Sequence, residues 1–239
     1  MKVILFGAAG QMGRSISALY DEEHREVEVV LVDREETDLV SSMGGADVAI
    51  DFSGKEALQN ILSYCIENEV PLVIGTTGHD EEDLLQIEKA SKVIPIIRSG
   101  NYSLGVYVLK QLAKEAAKLL GEEVDVEIIE KHHNRKKDAP SGTAILLAEA
   151  VDEGSFQHER VYGREGLSER RKGDMGIHAV RGGSIVGEHT VLFAMESESL
   201  ELTHRGESRR LFARGAVKAA EYIRKQKPGL YTMDHMMKG

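Results

Sequence analysis

Short apolar runs alternate with helical stripes through the first half of the chain. Residues 2–6 form one run, after which Ile16, Leu19 and Tyr20 recur at helical spacing. Residues 27–32 read as a second strand, 46–52 as a third, 71–74 as a fourth and 93–97 as a fifth. Between them, 56–68 carries Leu58, Ile61, Leu62, Cys65 and Ile66 on one helical stripe, and 81–91 is also helical. Strand and helix in strict alternation predict a parallel sheet covered by helices on both faces. Near residue 104 the pattern changes. A helix is expected over 106–120, ended by Gly121, and then Val124, Val126 and Ile128 alternate with Asp125 and Glu127 as a strand does. Residues 144–150 are helical, while 152–175 are polar without periodicity and are expected to form a loop or lid. Strands over 177–181, 184–194 and 199–204 lack helices between them, so an antiparallel or mixed sheet is expected. A closing helix over 214–225 reads as a return to the first domain.

Composition narrows the class. The 239 residues are 41% hydrophobic and 29% charged, ordinary values for a globular chain and against disorder. No apolar run approaches the ~20 residues of a membrane helix, and residues 1–7 are too short in apolar positions for a signal peptide. A lone cysteine, Cys65, cannot form an internal disulfide, fits a reducing cytoplasm, and on its apolar stripe reads as a small hydrophobe. The formal net charge of −10 disfavours nucleic acid and anionic membranes as partners.

Against that acidic background, the ends of the expected strands are chemically unusual. The first is followed by Gly7, Ala8, Ala9, Gly10, Gln11, Met12 and Gly13, the second by Asp33 and Arg34. Strand, glycine turn, helix, strand and acidic residue, in that order, is the layout of a dinucleotide-binding unit. The glycine spacing is G-x-x-G-x-x-G, so the G-x-G-x-x-G pattern is only partly met. Later strands end at Phe52-Ser53, at Gly75-Thr76-Thr77 and at Ser99-Gly100-Asn101-Tyr102. Ligands of parallel sheets sit beyond these carboxyl ends, so the five ends together predict a long binding crevice.

The second concentration of chemistry is the segment from Glu130 to Ala144, with His132, His133, Lys136 and a Pro-Ser-Gly-Thr turn at a helix start. Ser141 or Thr143 is expected near the helix cap. The N–H groups of a helix start, with hydroxyls beside them, suit a carboxylate or phosphate. A histidine and a lysine nearby suit an acid catalyst and a charge clamp. The bland reading of the basic run is a solvated face, which its coincidence with the helix start opposes. His132 and His133 are adjacent, so on extended chain they face opposite ways and at most one is the acid. Further metal ligands at sensible spacing are lacking, and Lys131, Arg135, Lys136 and Lys137 repel cations, so no metal is expected. His178, His189 and His204 lie in expected strands and read as structural.

Together these motifs resemble the 4-hydroxy-tetrahydrodipicolinate (dihydrodipicolinate) reductase family. The resemblance is carried by residues 7–13, 50–53, 73–78, 101–106, 132–144, 186–190 and 229–231. It implies an α/β fold with a Rossmann-type parallel sheet domain over 1–103 and 211–239. It implies an α+β substrate-binding domain over 104–210, whose open mixed sheet builds a homotetramer. The implied activity is NAD(P)H-dependent reduction of a dicarboxylate ring in lysine and diaminopimelate biosynthesis. Carried over, His132 is the proton donor and Lys136 its partner. His133, Lys136, Gly142 and Thr143 hold the substrate carboxylates, with Ser141 in the same turn. Residues 7–13, Asp33, Arg34, Phe52, Gly75, Thr76, Thr77, Ser99, Gly100, Asn101 and Tyr102 hold the cofactor. Asp33 suits the ribose hydroxyls of NADH, and Arg34 could pair with the 2′-phosphate of NADPH, so use of both is expected, with NADH equal or somewhat preferred. Gln11 departs from relatives with a basic residue there. An alternative from another class is a sensor that binds NAD(H) without turnover.

Overall fold

A computed structural model describes residues 1–33 and 44–239. The chain divides into two compact units, Met1–Ser103 with Arg209–Gly239, and Leu104–Ser208.

The first unit is built on β1 (Lys2–Phe6), β2 (Glu28–Val32), β3 (Val48–Asp51), β4 (Leu72–Ile74), β5 (Pro95–Arg98) and β11 (Gly229–Tyr231). They form one sheet in the order β11-β5-β4-β3-β1-β2, with every pairing parallel. The order reverses beside β1, the point at which parallel sheets open a crevice. Helices α1 (Gln11–Glu23), α2 (Leu58–Glu67) and α3 (Glu81–Ser91) connect the strands, and α6 (Arg210–Ile223) lies against β3, β4 and β5. Gly215 of α6 has no room for a side chain because the segment after β5 comes close: a Cβ there would lie 1.7 Å from the Tyr102 carbonyl oxygen. Cys65 is fully buried among the apolar residues of α2 and the sheet, and burial pushes its thiol pKa well up.

The second unit holds β6 (Asp125–His132), β7 (Glu159–Val161), β8 (Asp174–Arg181), β9 (Gly187–Ala194) and β10 (Ser199–Gly206), in the order β10-β9-β6-β8-β7. β9 runs antiparallel to both β6 and β10, whereas β6, β8 and β7 are mutually parallel, so the sheet is mixed. Helices α4 (Leu104–Leu120) and α5 (Gly142–Gly154) cover one face. The alternation in β6 explains this: Val126 and Ile128 are buried under the helices, while Asp125 and Glu127 point the other way.

Several expectations need correction. Residues 152–175 are not a structureless loop, for they contain the end of α5, the strand β7 and the start of β8. Ion pairs organise this segment, which is why apolar periodicity did not reveal it. Asp152 accepts from the His158 ring at 2.7 Å and pairs with Arg160, and Arg170 reaches Asp125 and Glu127. The closing helix runs from Arg210 to Ile223 rather than over 214–225. Beyond it lie β11 and a last helix, α7 (Met233–Lys238), both too short for a periodic signal.

Candidate active site

In the first unit, β1 ends in the glycine turn. The Gly7 N–H donates to Val32 O at 2.9 Å and that of Gly10 to Gly7 O at 3.0 Å, which folds the turn back over the sheet. The turn needs two of its glycines for contact reasons. Gly7 has φ 77°, and a Cβ there would lie 2.4 Å from Phe52 O; on Gly13 it would lie 2.2 Å from Gly7 O. Helix α1 begins next, with Gly10 at its N-cap and no side chain capping it, so the dipole end is open to an anion. Asp33 stands at the end of β2 with its carboxylate on the turn, where Oδ1 accepts the Ala9 N–H at 2.8 Å. Arg14 donates to the Ala9 carbonyl. Ala8 is buried, Met12 half-buried, and Ala9, Gly10 and Gln11 exposed. Arg34 lies outside the described residues.

The neighbouring strand ends complete this edge of the sheet. The Phe52 ring occupies the space a side chain would need at Gly75, 2.3 Å from its ideal Cβ. Thr76 is buried and Thr77 exposed. Ser99 Oγ accepts the Asn101 N–H at 3.1 Å, and Asn101 Oδ1 accepts the Ser103 N–H at 2.8 Å, a self-bonded loop around the exposed Gly100. Tyr102 is 2% exposed, with its hydroxyl donating to Ile74 O at 2.8 Å. Its side chain therefore belongs to the core, and only its backbone borders the edge. Asp51, at the end of β3, is also buried; burial pushes its carboxyl pKa up, against hydrogen bonds from Ser53.

In the second unit, three strands bring polar groups to the N-terminus of α5. His132 ends β6 with its ring nearly buried, and Glu130, two residues earlier on the same face, is fully buried. Glu130 Oε2 accepts from His132 Nδ1 at 2.6 Å. Both carboxylate oxygens also accept from Arg181 of β8, at 2.7 and 2.6 Å, and Oε1 accepts the Ser141 N–H at 2.9 Å. Burial pushes the Glu130 carboxyl up, but the bonds from Arg181, His132 and Ser141 outweigh it and hold it below the usual carboxylate range. Ser141 is the N-cap of α5, its Oγ accepting the Ala144 N–H at 3.2 Å. The same Oγ meets His189 Nε2 of β9 at 2.9 Å, and the His189 ring stands edge-on to His132 at 5.1 Å. His189 is buried, which lowers its pKa to about 4, with His132 as the next cause. Its Nδ1 has no hydrogen-bond partner among the described residues. Across from His132 on β9 stands Gly187, where a Cβ would lie 3.1 Å from His132 Nε2. The missing side chain leaves that nitrogen uncovered.

Lys136 turns to Asp138, Nζ to Oδ2 at 2.8 Å, and its hydrogen bond is the main cause holding the Asp138 carboxyl below its ordinary range. The carboxylate against His132 Nδ1 is thus Glu130. His133 is half-buried beyond the strand end, and Gly142 and Thr143 open the first turn of α5. Sequence reasoning assigned no part here to Glu130, Arg181, Gly187 or His189. For Glu130 a signal existed, since its two-residue spacing from His132 on a strand places both on one face. The other three are brought in by pairing across β8, β6 and β9, which no local pattern encodes. His178, by contrast, lies on the opposite face against Glu127, at 2.6 Å. Among the described residues, no group of three or more His, Cys, Asp and Glu is placed to hold a metal, and no helix is long and apolar enough to cross a membrane.

A glycine turn on a parallel sheet and, separately, an uncovered imidazole nitrogen at a helix N-terminus are the equipment of a dinucleotide-dependent oxidoreductase. Comparison with known proteins gives the family. The model of the dihydrodipicolinate reductase N-terminus matches residues 1–102, and that of its C-terminus matches 105–237. The chain belongs to the dihydrodipicolinate reductase family. A 4-hydroxy-tetrahydrodipicolinate reductase of Caldanaerobacter subterraneus is 48% identical over 249 residues, spanning 100% of this chain and 98% of that one. A relative of the same description from Clostridium tetani is 43% identical over 248 residues, spanning 99% and 97%. The solved dipicolinate-bound dihydrodipicolinate reductase of Paenisporosarcina sp. TG-14 shares the fold, with a TM-score of 0.76 at 24% identity over 97% of each chain.

Proposed function

We propose that this chain catalyses the NAD(P)H-dependent reduction of 4-hydroxy-tetrahydrodipicolinate, through its dehydrated ring, to tetrahydrodipicolinate, with His132 as the proton donor. The observation that carries the assignment of the acid is the His132 ring itself. Its Nδ1 is engaged by a buried carboxylate, and its Nε2 faces the gap at Gly187. A proton held at Nε2 can therefore go only to a bound molecule or to water. The cofactor supplies the hydride when bound, and residues 7–13 with Asp33 would hold it. No side chain caps α1 at that turn, a feature that fits the pyrophosphate.

The substrate is a dicarboxylate, and the N-terminus of α5 fits one of its carboxylates. Gly142 and Thr143 form the first turn there, and Ser141 caps it. Lys136 adds positive charge for the other, and His133 lies in the same segment. The Asp138 carboxylate now on Lys136 is 62% exposed, so a substrate carboxylate can replace it at small cost.

Both nicotinamide cofactors are used, with NADH equal or somewhat preferred. The Asp33 carboxylate favours ribose hydroxyls and repels a 2′-phosphate, while Arg34, its neighbour in sequence, offsets that repulsion. The protein is cytoplasmic and assembles as a homotetramer. The face of the five-stranded sheet turned away from α4 and α5 leaves Val180 45% exposed, in keeping with a face used for assembly.

The test is a steady-state assay coupled to the upstream synthase, following loss of NADH absorbance, for wild type and Lys136→Ala. Wild type should turn over, and Lys136→Ala should lower kcat and raise KM together. Cofactor binding without turnover would overturn the enzymatic reading in favour of a sensor. An unchanged KM in Lys136→Ala would remove that residue from the substrate site.

A further inference from the structure

We propose that Glu130 is the positioning residue of the acid: its carboxylate dictates that His132 carries its permanent proton on Nδ1 and reacts only through Nε2. The inference rests on the reading of His132 as proton donor.

Glu130 is used completely. Its side chain is wholly buried, and each oxygen has two donors: Ser141 N–H and Arg181 Nη2 on Oε1, His132 Nδ1 and Arg181 Nη1 on Oε2. A carboxylate has about four lone-pair sites and, when ionised, donates nothing. Every site is filled, so His132 Nδ1 must be the donor in that contact. That fixes the tautomer of the neutral ring and leaves Nε2 as the nitrogen whose protonation changes. Nε2 is also the nitrogen beside Gly187. The same carboxylate grips the Ser141 N–H, and Ser141 caps α5, so one buried group sets both the ring and the helix start that receives substrate.

Arg181 decides what Glu130 does not do. With a guanidinium bound to both oxygens, the carboxylate is already paired and is a poor place to store a proton. In the catalytic step the proton leaves Nε2 for the substrate, and the N–H electron pair stays on the ring. The Nδ1 proton remains shared with Glu130, and solvent returns a proton to Nε2 before the next turnover. Glu130 stays ionised throughout.

The proposal separates from a merely structural ion pair by two readouts. The first needs no substitution. In the full-length protein labelled with ¹⁵N-histidine, the neutral form of His132 should show the Nδ1–H tautomer, identified against a His132→Gln spectrum. An Nε2–H tautomer would overturn the proposal outright. The second is Glu130→Gln. An amide presents both an oxygen and an NH₂ to the same neighbours, so it no longer dictates a donor at Nδ1. We expect kcat to fall ~10²-fold with KM within about threefold, the pattern of a lost transition-state interaction. The alkaline limb of the kcat profile should move to lower pH, because the negative charge favouring imidazolium is gone. A loss of activity that tracks loss of folded protein, with an unmoved pH profile, would make Glu130 structural only. If Glu130→Gln does not fold, the tautomer of the wild-type ring still decides. If His132→Gln retains wild-type turnover, the acid reading itself fails; if His132→Gln is inactive and Glu130→Gln is not, only this inference does.

Discussion

Replacing Gly187 by alanine probes the Nε2 nitrogen of His132 without touching any polar group. The added carbon would lie 3.1 Å from Nε2 and 3.5 Å from Cδ2 of the ring. A hydrogen-bonded atom of the substrate needs to approach Nε2 to about 2.7–3.2 Å, so the methyl group enters the same shell. The ring cannot easily give way, because its Nδ1 is held at 2.6 Å by a buried carboxylate. Substrate must then retreat, and the acid loses its contact. General acids contribute roughly 10²–10⁴-fold, so kcat/KM should fall ~10²-fold, about 2.7 kcal/mol of transition-state stabilisation. The fold should hold: an alanine in place of a strand glycine gains about 0.5–1 kcal/mol from the unfolded chain, which offsets a contact tight by only a few tenths of an ångström. The assay is steady-state NADH oxidation with synthase-generated substrate, beside thermal unfolding and NADH binding. Wild-type kcat/KM in a folded Gly187→Ala protein would refute the placement of substrate at Nε2.

Other expectations follow from the same geometry. His189 titrates near 4 in the fold against an ordinary 6.5, so the unfolded chain binds its proton first. Its contribution is complete above pH 6.5 and is lost as pH falls toward 4, a drop worth up to about 3 kcal/mol. His189→Gln should flatten denaturant stability over that window, and an unchanged pH slope would contradict the assignment. Gly13→Ala places a Cβ 2.2 Å from Gly7 O, against backbone that cannot yield. NADH binding measured by calorimetry should weaken at least about tenfold, and an unaltered Kd would show that the turn is not the cofactor cradle. Ser141→Ala removes an N-cap worth about 1 kcal/mol as well as the partner of His189 Nε2. Urea unfolding should register at least that loss, and none at all would deny Ser141 its place in the cluster.

The first unit was legible in the sequence because its rules are local. Each of the strands β1 to β5 is a short apolar run, ended by glycine, by a hydroxyl residue or, for β2, by Asp33, and the helices between them carry their own stripes, so order and type follow without knowledge of the partners. The second unit was legible only where alternation was strong, as in β6. Segment 152–175 is organised by Asp152, Arg160 and Arg170, whose partners cannot be inferred from spacing. β11 is held by pairing with β5 and is too short to show a period. The site divides the same way. The basic segment and its helix cap announced themselves, since Ser141 sits where a cap must. Glu130 was hidden in plain alternation, as a charged residue at a core position of β6, and Arg181 and His189 became its neighbours only through strand register. Tyr102 illustrates the converse: it lies in a strand-end motif, but its ring turns inward to bond Ile74 O.

In the proposed reaction the proton comes from His132 and the glycine turn holds the cofactor. The most direct measurement is turnover by His132→Gln under saturating NADH, paired with the NADH dissociation constant of the same protein. The expected result is a kcat lower by ~10²-fold or more and an unchanged dissociation constant. Wild-type turnover in the folded variant would contradict it.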